Sequence, residues 1–189
     1  LLWSLGEYDR ALEKFLKVAG AGIEDKLPNL MADALNNAGL IYWRRADYEQ
    51  GLKYMKDALT FRKKARDKFG VSATLMNIGI LEEQLGHYEK ANKAYTDALK
   101  LAEKIEYKQV QTAVLSNLGS VALKLGEHNK ALEYNSRSLL LARETEDSRS
   151  EAIALENLAL SYIALKKHSE AKETLQQAIQ VASRVGDQQ

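Results

Sequence analysis

By side-chain type, three histidines (His87, His128 and His168) are the residues best suited to proton transfer or metal binding in this chain. They stand roughly 40 residues apart, far from the i, i+4 spacing that sets two imidazoles on one helix face around a metal ion. Their expected place is packing or solvation at a turn. Glu82-Glu83 and the group Glu144, Glu146 and Asp147 are expected on exposed helix ends. No facing partner is evident that would raise a carboxyl pKa for acid/base work. There is no cysteine, which excludes disulfides, thiolate metal sites and a cysteine nucleophile together. A glycine-rich phosphate loop, a nucleophile elbow and a kinase signature are all absent. The chain is therefore expected not to be an enzyme, and to need no cofactor and no metal.

Chemistry of another kind is carried by amides. Asn37, Asn77, Asn117 and Asn157 recur at intervals of 40. Asparagine is a mediocre helix former, so nothing in helix propensity explains its return. Each side chain offers one acceptor and two donors, and so can pair with both the N–H and the C=O of an extended peptide. A series of them would hold a backbone whatever its sequence. The alternatives are that each Asn bonds to the adjacent repeat, or that the column is inherited from duplication.

The elements that must position these amides follow from the same period. Gly6-Glu7-Tyr8, Ala46-Asp47-Tyr48, Gly86-His87-Tyr88, Gly126-Glu127-His128 and Lys166-Lys167-His168 mark turns without one insertion between them. Small residues follow at Ala11, Gly51, Ala91, Ala131 and Ala171, and again at Val18, Ala58, Ala98, Ser138 and Ala178. A larger column lies between them: Phe15, Met55, Tyr95, Asn135 and Leu175. Each period resolves into two helices, the first predicted near residues 30–45, 70–85, 109–125 and 149–165. Leu35, Ala38, Gly39 and Tyr42, like Leu155, Leu158, Ala159 and Tyr162, follow the i, i+3, i+4, i+7 spacing of one buried stripe. The single proline, Pro28, and the abundance of Ala, Leu, Glu, Lys and Gln predict an all-helical chain. Gly20-Ala21-Gly22 with Pro28 is expected to form a loose connection or hinge. Leu1-Leu2-Trp3-Ser4-Leu5-Gly6 has neither an initiator Met nor a signal-peptide profile and reads as a cut through a longer protein.

These columns resemble the tetratricopeptide repeat. Its small–aromatic–small–aromatic–small pattern is matched by Gly39, Tyr42, Gly51, Met55 and Ala58, then by Gly79, Glu82, Ala91, Tyr95 and Ala98. The resemblance implies an all-α, right-handed superhelical solenoid of antiparallel helix pairs. It divides the chain into a partial repeat at 1–27 and full repeats at 28–67, 68–107, 108–147 and 148–187. Two features depart from the common form of the repeat: six extra residues in each period, and no proline closing the second helix. The longer register resembles repeats of the Pins-type (LGN) spindle-orientation adaptors, of kinesin light chains in part, and of bacterial signalling proteins.

In such a solenoid the first helix of each pair lines the concave side. Positions opposite its buried stripe are Asp33, Asn36, Asn37, Leu40 and Arg44; then Ala73, Met76, Asn77, Ile80 and Gln84. The later repeats give Ala113, Ser116, Asn117, Ser120 and Lys124, then Ile153, Glu156, Asn157, Leu160 and Ala164. Trp43, Glu83, Leu123 and Ile163 lie at the edge. Leu40, Trp43, Met76, Ile80, Leu160 and Ile163 could pocket apolar side chains, with Ile153 and Ile163 alternatively buried under a neighbouring helix. Arg44 and Lys124 could meet acidic groups, and Asp33, Glu83 and Glu156 basic ones. The lysines of a clamp for a terminal carboxylate are missing, since Asp33, Asn36, Ala73 or Met76 stand where they would be.

The expected function is a non-catalytic scaffold binding a peptide or protein segment in its groove. One alternative is a regulatory or sensor region of a larger bacterial signalling protein. Another is self-assembly through the last helix, where Leu175, Ala178, Ala182 and Val185 have no following unit to cover them. Basic and acidic residues, 27 against 26, leave a formal charge of +1, which gives no argument for nucleic acid or an anionic membrane. No apolar stretch is long enough to span a bilayer. The absence of cysteine fits a reducing compartment, and a cytoplasmic location is expected.

Overall fold

The computed structural model describes residues 5–19 and 27–186, and among these every regular element is an α-helix. They are α1 (Leu5–Ala19), α2 (Pro28–Arg44), α3 (Tyr48–Lys64), α4 (Lys68–Gln84), α5 (Tyr88–Lys104), α6 (Lys108–Lys124), α7 (His128–Glu144), α8 (Ser148–Ala164) and α9 (His168–Gly186). Helices α2 to α8 each run 17 residues. Three-residue turns between them complete the period of 40. The first helix of each pair begins one or two residues before its predicted start, at 28, 68, 108 and 148 rather than 30, 70, 109 and 149. Pro28 opens α2 at its first turn, where a missing N–H costs nothing. The expected hinge Gly20-Ala21-Gly22 lies outside the described residues, and Gly6 and Glu7 fall within α1 rather than in a turn.

One closure serves all seven turns from residue 45 to residue 167. The middle residue is left-handed: Ala46, Arg66, Gly86, Glu106, Gly126, Glu146 and Lys166 all have φ between 53° and 76°. Its N–H bonds to the carbonyl three residues back, and the next N–H reaches five back, as in Ala46 to Trp43 and Asp47 to Tyr42 (both 3.0 Å). The third turn residue then opens the following helix, its carbonyl accepting from the residue four ahead, as Asp47 does from Gly51. Closing one helix and opening the next therefore fall to one residue. That residue cannot be proline, because its N–H ends the preceding helix. This explains how helices end here without the proline of the shorter repeat. Five of the seven left-handed positions carry a Cβ, at a cost of about 1 kcal/mol or more each.

Asp47, Asp67 and Asp147 add a side-chain cap, accepting from the amides of Gln50, Gly70 and Ser150. At Asp147 the Ser150 hydroxyl, at 2.7 Å, and the Ser150 amide, at 3.0 Å, hold the carboxyl below its ordinary value. A lowered folded-state pKa means that this contribution is present above the unfolded value and lost as pH falls through the folded one. Asp147→Ala is expected to cost about 1 kcal/mol at neutral pH. The gap to the parent narrows in acid below that value. Urea denaturation in neutral and strongly acidic buffer checks it, and a gap that persists in acid would count against the charged cap.

The chain divides into two compact units, residues 1–94 and 95–189. In the first, Leu12, Ala38 and Ile41 form a core with Phe15 and Leu16 against them, and Tyr42 stacks on Tyr54 with ring centroids 5.2 Å apart. Burial and the neighbouring Tyr54 raise the Tyr42 hydroxyl pKa above its ordinary value. Met55, Ile78, Leu81 and Ala94 form a further cluster of that unit. In the second unit Leu139, Ala154, Leu155, Leu158, Ala178 and Val181 join α7, α8 and α9. Ala178 is thus an inward residue at 4% exposure and not part of the uncovered face. Leu175, Ile179 and Ala182 stand exposed on α9, and the Val185 side chain lies outside the described residues.

Polar residues replace apolar ones in two buried columns. Asn135 occupies the column of Met55 and Tyr95 and is fully buried. Its Nδ2 donates to the Asn157 carbonyl (3.1 Å) and to the Ser161 hydroxyl (3.0 Å). Ser116, expected on the displayed face, is buried and shares a 2.9 Å hydrogen bond with the Ser138 hydroxyl. Glu82, expected on a solvated helix end, is only 5% exposed, because it fills the helix position that Tyr42 holds one repeat earlier. His87 Nδ1 lies 2.8 Å from one of its carboxylate oxygens and Lys56 Nζ 3.7 Å from the other.

Candidate functional site

The displayed positions follow from how α2 and α4 lie. Their small and apolar stripe is buried, at Leu35, Ala38 and Gly39 in α2 and at Ile78 and Gly79 in α4. What remains on the other side is half-buried: Asn36, Asn37 and Leu40 on α2, and Met76, Asn77 and Ile80 on α4. Trp43 is 37% exposed. Leu40, Trp43, Asn77 and Ile80 line one cavity of about 210 Å³, whose floor is made by the buried Met55 and Leu81. One water needs about 10–15 Å³, so the space suits a large aliphatic or aromatic side chain.

Asn77 is the polar member of that lining. Its Nδ2 donates to Asn36 Oδ1 at 3.2 Å, so this amide bonds to the adjacent repeat and to Asn36 rather than to Asn37. A second N–H and the carbonyl oxygen belong to the same amide, and an amide can serve several partners at once. Asn37, Arg44, Met76 and Glu83 do not line the cavity. Asp33, expected to meet a basic partner group, is paired within the unit: Arg62 Nη2 lies 2.5 Å from it. The same guanidinium bonds Asp67, the cap of α4, at 2.6 Å.

In the second unit Asn117 and Asn157 are half-buried, while Lys124 and Glu156 are exposed. Asn157 contributes its backbone carbonyl to the buried Asn135. Ile153 and Ile163 are 45% and 46% exposed, so neither is buried under a neighbouring helix as expected. Met55 and Leu81 escaped the sequence reading as cavity residues. Both are core residues by pattern, and only the gap above them makes them a floor.

Among the described residues no group of three His, Asp or Glu side chains is placed to hold a metal ion. None of their helices is long and apolar enough to cross a membrane.

The model of the tetratricopeptide repeat family matches residues 30–104 and 111–184. No curated protein matches the sequence. Among solved structures, the chain is similar to BtubC (BKLC) from P. vanneervenii, with 16% identity over 96% of this chain and 74% of that one, TM-score 0.83. It is similar to aspartyl phosphate phosphatase F from Bacillus subtilis, with 18% identity over 97% of this chain and 49% of that one, TM-score 0.84. A third likeness is to MamA, with 16% identity over 99% of both chains, TM-score 0.70.

Proposed function

We propose that this chain, which belongs to the tetratricopeptide repeat family, is a non-catalytic scaffold that holds an extended protein segment against the displayed faces of α2 and α4. The observation that carries the reading is the cavity in which Leu40, Trp43, Asn77 and Ile80 converge. An apolar side chain of the segment enters it and is removed from water by Met55 and Leu81 beneath. Asn77 bonds the segment's backbone beside that side chain, which fixes the chain without reading its sequence. Apolar anchoring thus supplies the choice of partner, and the amide supplies direction and reach.

Such a site needs no proton transfer and no metal. The 40-residue period, shared with adaptors and bacterial regulatory proteins, supports either setting. The origin of the bound segment, another protein or a longer form of this one, separates the two. Panning a phage-displayed random peptide library on the chain tests the reading. Enriched peptides are expected to share one large aliphatic or aromatic position. Enrichment with no shared apolar position would overturn it.

A further inference from the structure

The formal charge of +1 is spread unevenly along the chain. Of the seven residues from 62 to 68 five are basic, and the one acid, Asp67, is held by Arg62, which also takes Asp33. Lys63, Lys64, Arg66 and Lys68 stand exposed around that turn. The corresponding turns of the next two repeats carry Glu103, Lys104, Glu106 and Lys108, then Arg143, Glu144, Glu146 and Asp147. The repeat itself therefore does not demand a basic run.

Apolar side chains break the pattern at the same edge. Among the described residues of the first unit four large apolar side chains are exposed, and three of them are Leu27, Leu30 and Phe69, at 45–55%. Leu27 occupies the N-cap position that Asp67 and Asp147 fill in other repeats, and it forgoes their side-chain cap. Phe69 stands in a column otherwise held by Asn29, Gln109 and Arg149. Asn77 bonds Asn36, which sets the first turns of α4 and α2 level, and Arg62 ties the end of α3 to Asp33 beside them. Ile80 of the cavity lies a further roughly 16 Å along α4 from Phe69, so the edge is separate from the groove.

We propose that this edge of the first unit docks on the surface of an anionic lipid bilayer. Leu27, Leu30 and Phe69 enter the boundary between headgroups and acyl chains. Lys63, Lys64, Arg66 and Lys68 reach the anionic headgroups on their long, flexible stems. The charge alone would suit any polyanion, and the apolar side chains decide among them. A nucleic acid offers no apolar phase to two leucines, and an acidic protein segment would need a pocket shaped to all three side chains. A bilayer takes projecting apolar groups without one.

Sedimentation of the full chain with vesicles tests the assignment. The chain is expected to pellet in low salt with phosphatidylcholine vesicles containing about one-quarter phosphatidylserine, and to stay in solution with phosphatidylcholine alone. Combining Lys63→Glu, Arg66→Glu and Lys68→Glu is expected to weaken binding at least about a hundredfold. Phe69→Ser, which leaves the charge unchanged, is expected to weaken it at least about fivefold. Lys90→Glu with Lys93→Glu, at two exposed lysines of α5, is expected to stay within about threefold of the parent. All these positions are exposed, and thermal melts check that each variant keeps the parent fold. No pelleting with phosphatidylserine, or pelleting that survives either the triple reversal or Phe69→Ser, would overturn the assignment. Equal weakening by the α5 pair would do the same, since the charge of the whole chain would then be responsible. So would tighter binding to single-stranded DNA or polyglutamate than to the vesicles, lost in the triple variant; the edge would then belong to a polar polyanion.

Discussion

Replacing Gly119 by alanine is expected to destabilise the second unit by about 3 kcal/mol, although alanine is the better helix former. A Cβ at this position would fall deep inside van der Waals contact with the Oδ1, Cγ and Nδ2 atoms of Asn135. That amide has nowhere to go, since it is fully buried and tied through Nδ2 to Asn157 and Ser161. Gly39 is the control at the same column. There a Cβ would meet the flexible Met55 side chain at 3.0 Å and the Gly51 carbonyl at 3.1 Å. Gly39→Ala is therefore expected to sit within about 1 kcal/mol of the parent, helix propensity offsetting a small adjustment. Combining Gly119→Ala with Asn135→Ala is expected to recover part of the loss, a non-additivity that belongs to side chains in direct contact. Urea denaturation of the parent, Gly39→Ala, Gly119→Ala, Asn135→Ala and the double variant measures all of this. Equal costs for the two glycines would show that Asn135 does not confine Gly119.

Trp43→Ala is expected to weaken binding of a library-selected peptide by about thirtyfold or more, the scale of an aromatic at the centre of an interface. Trp43 walls the cavity from the edge of α2 and is exposed enough that the fold does not depend on it. Its removal should shift Tm by no more than about 2 °C. Asn77→Ala is expected to cost about fivefold, one hydrogen bond's net worth, since the cavity keeps its apolar walls. Arg44→Ala, outside the cavity, should change little. Fluorescence anisotropy with the labelled peptide, beside thermal melts, separates these effects. If affinity per folded molecule is the same for Trp43→Ala and the parent, the cavity is not the anchor.

The helix pairs were legible because their punctuation repeats. Ala46-Asp47-Tyr48, Gly86-His87-Tyr88, Gly126-Glu127-His128 and Lys166-Lys167-His168 recur at an interval of 40 without an insertion, which leaves room for two helices in each period. That Leu40, Asn77 and Ile80 share a displayed face follows from helical angle alone. The errors came from judging burial by residue type. Glu82 and Ser116 are polar but sit in columns that neighbouring helices cover, and Ala178 is inward because α9 turns that face to α8. Ile153 and Ile163 show the converse, apolar residues that stand half-exposed among the described residues. The Asn135 network was out of reach for a different reason. Its partners, Asn157 and Ser161, are 22 and 26 residues away, and only packing says which amide meets which hydroxyl.

The shared turn has a consequence for how such a chain changes length over evolutionary time. Since one residue ends each helix and begins the next, a gene can be cut and rejoined at any of these turns without devising a new connection. Arg66, Glu106, Glu146 and Lys166 hold the same left-handed place as Gly86 and Gly126, so the joint accepts several residue types there at a modest cost. The inheritable module is then a single helix with half a turn at either end. Gain or loss in pairs keeps the alternation of first and second helices, and with it the face that a partner meets.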